Sequence, residues 1–334
     1  MRESRVGVGV IGLGGISSHV HLPGLRLCPQ AEIVALAAIA AGKHVLTEKQ
    51  LGMNYAETVQ MYEAAEHAGV RHMTAFTYRF VPAMRYLKHL LGRGTIGLPR
   101  HLRIARLMDV PETHLGWRQK RALAGAGEVG DMGAHRIDFC HDLIGPIARV
   151  IGLTRTYVPL RPGRDGIPAP ADVEDFASFI AEFAEGVGVE QGTVASFNLS
   201  KVAKGRESGG RSLDEFEVYG TEGTLIYHLH RPHEITLGSA GGILETVPVP
   251  RDFLAYPGSP RDPLVGEPTT TFRYDQGFAF IQAIVAGNSD IPKFYDGMRC
   301  QAVIDAVLQS VQERRWVDVA DVPPVTLPLA ATAT

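Results

Sequence analysis

The sequence predicts an α/β part followed by an α+β part, and three observations predict it. Short, nearly continuous apolar strands alternate with helices in the first hundred or so residues, as in a parallel sheet buried on both faces. From Arg100 onward longer, alternating strands follow one another with few intervening helices, which makes a large, mainly antiparallel open sheet. The length of 334 residues accommodates two domains at about 150 residues each.

Val6 to Ile11 is β-branched and apolar, a buried strand. Its approach through Met1 to Arg5 superficially resembles a leader peptide, but the apolar stretch is studded with glycine and has no small-residue cleavage site. The strand ends at Gly12-Leu13-Gly14-Gly15-Ile16-Ser17, followed by a helical stretch to about Leu27. Such a strand, glycine turn and helix let a phosphate approach the backbone at the helix N-terminus. A literal Gly7-x-Gly9-x-x-Gly12 also occurs, but its first two glycines lie inside the strand. Ala31 to Leu36 and Lys43 to Thr47 read as strands. The six residues between them cannot form a parallel crossover, which needs about a dozen. Either the two strands are not sheet neighbours or a segment of the expected domain is missing there. Asn54 to Ala68 is a helix closed by Gly69, Val70 to Ala75 a strand, and Pro82 to Leu91 a helix.

In the second part, strands are expected at Arg100 to Met108, Ala148 to Val158, Glu174 to Phe183, Val187 to Asn198, Glu215 to Tyr219, Thr224 to His230, Glu234 to Leu237 and Leu244 to Val247. A helix at Met132 to Leu143 falls among them. Arg161 to Asp172 and Pro257 to Pro268, rich in Pro and Gly, read as loops. Gln276 to Ala286 and Asp296 to Gln312 read as helices. These boundaries divide the chain into residues 1–98, residues 99–319, and a loose tail at 320–334, with helix 276–286 packing back on the first domain.

Composition narrows the function. Thirty-three Lys and Arg against 36 Asp and Glu give a net charge of -3, without the basic footprint of a nucleic-acid binder. No window approaches the roughly 18 apolar residues of a membrane span. The three cysteines offer neither a disulfide framework nor a zinc spacing, and read as buried small hydrophobes in a reducing, cytoplasmic setting. A small-molecule ligand is the reading that remains.

Two clusters could carry chemistry. Glu48 and Lys49 close a strand at its C-terminal end, the edge where open α/β sheets bind ligands; the plainer reading is a solvated pair at a loop start. Asp131, His135 and Asp138 follow the glycine-rich run from Gly125 to Gly130 at i, i+4 and i+7, on one helix face. Asp131 would serve equally as an N-cap, but a histidine on the same face suits proton transfer near neutral pH. His135, Asp138 and His141 lack a metalloprotein spacing, so no metal is expected. The pairs Tyr78-Arg79 and Trp117-Arg118 suit a polyhydroxylated ligand through stacking and multiple hydrogen bonds, or equally a core edge with a salt bridge.

Taken together, the chain resembles the Gfo/Idh/MocA oxidoreductases, the family of glucose-fructose oxidoreductase and inositol 2-dehydrogenase. The matching text runs in order: Val10-Ile11-Gly12-Leu13-Gly14 with His21 and Pro23; Ala41 to Lys49; Tyr78-Arg79-Phe80-x-Pro82-Ala83; Trp117-Arg118; Gly125-x-Gly127 to Asp131-x-x-x-His135-x-x-Asp138; Tyr219-Gly220-Thr221-Glu222-Gly223; and Trp316-Val317. Its wording is closest to sugar dehydrogenases of the levoglucosan type. The resemblance implies an N-terminal Rossmann domain for NAD or NADP and a second domain whose open sheet joins subunits in a dimer or tetramer. It implies hydride transfer between nicotinamide C4 and a secondary alcohol of a sugar or polyol. Gly12, Gly14, Gly15, Ile16, Glu48 and Lys49 would hold the cofactor. Lys49, Asp131 and His135 would form the catalytic set, with Tyr78, Arg79, Trp117 and Arg118 lining the substrate site beside Asp131 and His135.

The chain departs from that family in two places. Gln50 stands where the family has Pro after the Glu-Lys pair. After Leu36, about 60 residues of strand and helix, two βαβ units' worth, are absent. A chain with half a cofactor cleft would also suit a cofactor-deficient sugar-binding or regulatory relative, and the same scaffold hosts NAD-dependent glycosidases.

Overall fold

The computed structural model describes residues 6–8, 20, 31–33, 42–110, 115–163, 165–186, 188–206, 212–287 and 290–320. The glycine turn from Gly12 to Ile16, all but Val20 of the helix expected to Leu27, the join at Leu36 and Ala37 and nearly all of the expected tail lie outside them. Strand β1 (Val6–Val8) pairs in parallel with β2 (Ala31–Ile33), and β3 (Val45–Thr47) in parallel with β4 (His72–Thr74). Among the described residues β2 and β3 belong to separate two-stranded sheets.

Helix α1 (Tyr55–His67) starts where the sequence marks it. The Asn54 side-chain oxygen accepts from the Glu57 amide at 3.0 Å, and the Met53 amide donates back to Glu57 Oε2 at 2.9 Å. This reciprocal arrangement satisfies amides that a helix start otherwise leaves without partners. Helix α2 (Pro82–Gly92) places its proline in the first turn, where the missing N–H costs nothing.

The second part is built on one nine-stranded sheet. Its strands are β5 (Pro99–Leu107), β6 (Ile147–Arg155), β9 (Phe176–Phe183), β10 (Val194–Ser200), β11 (Leu213–Gly220), β12 (Gly223–His228), β13 (Glu234–Ser239), β14 (Leu244–Pro248) and β15 (Val317–Asp318). They lie in the order β14-β13-β12-β11-β5-β10-β9-β6-β15. All neighbours are antiparallel except β5 and β10, which run parallel in register from Val194 opposite His101 to Ser200 opposite Leu107. Mixed sheets of this size are common in α+β folds.

One face of the sheet is covered by helices α3 (Ala134–Leu143) and α5 (Phe294–Glu313). Phe179 and Phe197, stacked with ring centroids 4.1 Å apart, pack there with Ile104, Phe216, Ile137 and Val303 in one core. Helix α5 is held at its start by Asp296, whose Oδ2 accepts from the Lys293 amide at 2.7 Å. Helix α4 (Tyr274–Val285) packs Ala279, Phe280 and Ala283 against Met73 of β4 and Phe80.

Several expectations need correction. The stretch from Arg161 to Asp172 is not all loop: β7 (Leu160–Pro162) and β8 (Pro168–Pro170) form a hairpin there. As an isolated pair it tolerates prolines that a central strand would not. The strand expected from Val187 begins at Val194, because Gly188 and Gly192 adopt φ of +98° and +77° and turn the chain first. The helix expected from Met132 is preceded by a π-helical turn at Val129–Gly133 and becomes α-helical at Ala134. Cys140 and Cys300 are buried, free thiols.

Candidate active site

The π-turn presents Asp131 to the end of β3. Lys49, two residues beyond the strand, donates from Nζ to Asp131 Oδ1 at 2.7 Å and to the Asp131 carbonyl at 2.5 Å. The Lys49–Gln50 peptide bond is cis. Gln50 enters the glycine-rich loop, donating from Nε2 to the Ala124 carbonyl at 2.9 Å. Side chains on that loop would block this entry: a Cβ at Gly130 would lie 1.9 Å from Gln50 Oε1, and one at Gly125, where φ is +70°, 2.8 Å from Nε2. The loop is also held from the other side. Glu174 Oε1 accepts the Gly127 and Val129 amides at 2.7 and 3.3 Å, and its carbonyl accepts the Glu128 amide at 3.0 Å.

Asp131 is gripped a second time. Lys201, just past β10, places Nζ 2.8 Å from Asp131 Oδ2 and 3.6 Å from Glu128 Oε2, while Arg106 NH1 lies 3.2 Å from Glu128 Oε1. Burial acts to raise the Asp131 carboxyl, but the two ammonium groups outweigh it and hold it well below the usual carboxylate range. Glu128 is fully buried, and burial pushes its carboxyl up to about 7 against the pull of Arg106 and Lys201.

His135 sits one turn on, buried with its ring edge-on to Tyr78 at 4.5 Å between centroids, and with Nδ1 lacking a hydrogen-bond partner. Burial first, then the charges of Lys49, Arg136 and Arg273, pull its imidazole well below the ordinary value of 6.5. The ring is therefore neutral at neutral pH, able to accept a proton. Arg273 reaches this side of the cluster and donates to the Tyr78 hydroxyl at 3.0 Å.

Asp138, the third residue of the expected face, belongs to a different network. Arg79 donates to it from two nitrogens at 2.8 and 2.5 Å and also contacts Asp296 at 2.9 Å and Asp142 at 3.2 Å. Arg79 is thus engaged by three carboxylates, joining α3 to α5. Trp117 is exposed, with the Arg118 guanidinium 4.4 Å above its ring. Arg118 lines a small cavity with Glu174, Asp175 and Lys201.

The structure therefore brings Lys49, Asp131, His135 and Tyr78 together and gives Arg79 to a neighbouring network. Glu48 is exposed at the end of β3, and the glycine turn expected to hold a cofactor lies outside the described residues. Sequence reasoning missed Lys201, Glu128, Arg106, Gln50 and Arg273. Only Gln50 carried a signal, as the residue next to Lys49 that departs from the family text. Among the described residues no cluster of side chains could hold a metal ion, and no helix is long and apolar enough to cross a membrane.

The mixed α/β fold gathers a lysine, a carboxylate and an imidazole at a strand end, and comparison with known proteins gives the class to which such a chain belongs. The sequence profile described as the GFO/IDH/MocA C-terminal domain matches residues 84–226. Levoglucosan dehydrogenase of Pseudarthrobacter phenanthrenivorans is 30% identical over 315 residues, covering 86% of this chain and 77% of that protein. Its structure in complex with NADH and L-sorbose superposes with a TM-score of 0.77 at 29% identity, over 87% of this chain and 80% of that one. An NAD-binding oxidoreductase from Klebsiella pneumoniae superposes with a TM-score of 0.75 at 28% identity, over 89% and 82%. The chain belongs to the Gfo/Idh/MocA oxidoreductase family.

Proposed function

We propose that the protein is an NAD(P)-dependent dehydrogenase acting on a secondary alcohol of a sugar or polyol. The observation that carries this reading is the contact of Lys49 with Asp131 one turn from a neutral, buried His135. The relatives' names and bound ligands, NADH with levoglucosan or L-sorbose, supply the substrate and cofactor class. The described part of the site fits a nicotinamide: Lys49 follows β3 at the C-terminal edge of a parallel pair, and the buried Thr47 hydroxyl beside it has no hydrogen-bond partner.

A bound nicotinamide supplies the hydride acceptor. The protein's own part is to manage the hydroxyl proton. His135, neutral, takes that proton as the alcohol is oxidised, and returns it in the reverse direction. The Lys49 ammonium stabilises negative charge developing on the oxygen. Asp131 holds Lys49 in place and orients the substrate. Tyr78, Trp117 and Arg118 offer aromatic and guanidinium surfaces to the sugar, with Arg79 behind them. The Rossmann reading of residues 1–98, the glycine turn as the pyrophosphate site, and residues 99–319 as the substrate and subunit-joining part belong to the same proposal. The bare face of the sheet, where Leu153 and Ile180 are exposed, supports a homo-oligomer.

The test is an assay of the purified protein with NAD+ or NADP+ and a panel including levoglucosan, L-sorbose and inositols, read by nicotinamide absorbance. Reduction of either cofactor with any of these is expected. No reduction together with no cofactor binding in calorimetry would leave a sugar-binding relative, and glycoside cleavage without net cofactor change would mark a glycosidase.

A further inference from the structure

Lys201 lies outside the set that proton transfer uses, yet it is buried against it. Its Nζ is 2.8 Å from Asp131 Oδ2, the oxygen opposite the one that Lys49 takes at 2.7 Å. The Lys201 side chain is only 9% exposed, and Glu128 behind it is wholly buried, in contact with Arg106. The groups facing Asp131 are thus Lys49 from the end of β3, Lys201 from the end of β10, and Glu128 and His135 from its own segment.

We infer that Lys201 is a positioning residue for the proposed reaction: by gripping the second oxygen of Asp131 it fixes the carboxylate between two ammonium groups and so sets where Lys49 stands relative to His135. The inference rests on the dehydrogenase reading for its catalytic consequence, but the grip itself is independent of it. With one oxygen released, the Asp131 carboxylate can rotate about its side-chain bonds and loosen its hold on Lys49, which is then left with the Asp131 carbonyl alone. The ionised Asp131 carboxylate is in turn the counter-charge that makes the buried Lys201 ammonium tolerable at this point, since a buried charge is held only when paired.

Two measurements test this. The first needs no cofactor: the side-chain carboxyl carbon of Asp131, assigned by its loss in Asp131→Asn, is followed by NMR against pH. In the wild type it stays ionised through the ordinary aspartate value of 3.8. In Lys201→Met its midpoint rises by about 1–3 pH units, the effect of removing one close opposite charge. Lys201→Arg restores the wild-type titration, and Lys204→Met, which removes an ammonium that is 83% exposed and paired with Asp109, leaves it unchanged. A midpoint that does not move in Lys201→Met overturns the grip. The second measurement is the pH profile of kcat/KM, in which a limb set by Asp131, distinct from that of His135, moves up in Lys201→Met and returns in Lys201→Arg. An unmoved profile alongside a moved midpoint overturns the catalytic role. A wild type inactive with every substrate defeats the dehydrogenase reading, and the catalytic role with it, while the carbon titration still decides the grip. Should Lys201→Met not fold, Lys201→Gln, which keeps a polar side chain and removes the charge, carries the same readout.

Discussion

His135 and Glu128 are pushed by burial in opposite directions, and each gives a measurable consequence. The imidazole is held below its ordinary 6.5, so the acid limb of kcat/KM belonging to it falls below the usual histidine range. On the proposed reaction, replacing His135 by Ala lowers kcat/KM by about 10²–10⁴-fold, the loss of a positioned acid-base group, in steady-state assays at saturating cofactor. Glu128 ionises near 4.5 when unfolded and at about 7 when folded. Between those values the folded state binds the proton that the unfolded state has released, so stability falls as pH rises through that window. Urea denaturation at about pH 5 and about pH 8 should show this decline in the wild type and a smaller one in Glu128→Gln. Three of the side chains that the structure gathers were legible because each stood beside a signal: Lys49 at a strand end, Asp131 and His135 after a glycine run. Lys201 and Arg106 were not, because an ordinary cation near the end of an ordinary strand says nothing until the sheet order is known.

At the level of elements, the glycine-rich loop is the part whose sequence is most constrained by what surrounds it. A Cβ at Gly127 would lie 1.9 Å from the Glu174 carbonyl oxygen, a backbone atom that cannot step aside. Gly127→Ala should therefore cost about 1–3 kcal/mol or more in denaturant unfolding and displace Asp131. Gly92→Ala, where nothing lies within 4 Å, is the matching control. Helices were read well from caps and prolines, since Asn54 and Pro82 act locally. The hairpin at Leu160 to Pro170 was missed because its prolines obey the rule for edge strands, and a segment's edge position is a tertiary fact. The π-turn before Ala134 escaped for a related reason: the residues from Val129 to Gly133 fit an α-helical pattern equally well, and the loop's anchoring on Glu174 accompanies the widened turn.

For the whole molecule, the large sheet has one face packed under helices, while among the described residues the other exposes apolar side chains such as Leu153 and Ile180. Phe197, 1% exposed and stacked on Phe179, anchors the filled face, and Phe197→Ala should cost about 3–5 kcal/mol in equilibrium unfolding. On the other face Ile180 stands 44% exposed, opposite Ile151 and Ser196. If that face joins subunits, Ile180→Glu lowers the mass measured by sedimentation while leaving the circular dichroism of the fold intact; an unchanged mass would assign the interface elsewhere. Alternation along the strands made the two faces legible, but the order of strands was not, since pairing depends on which distant segments meet.

The single parallel pair in that sheet carries a geometric debt from the chain's route. Because β5 and β10 run the same way, Arg106 and Lys201 emerge at one rim, within reach of Glu128 and Asp131. Had β10 entered from the opposite rim, as its other neighbour β9 does, its last residue would stand about 23 Å away, the length of seven extended residues. The direction in which one strand is threaded thus decides the charge balance of the candidate site, and a redesign that reversed β10 would keep the core's composition while stripping one cation from beside Asp131.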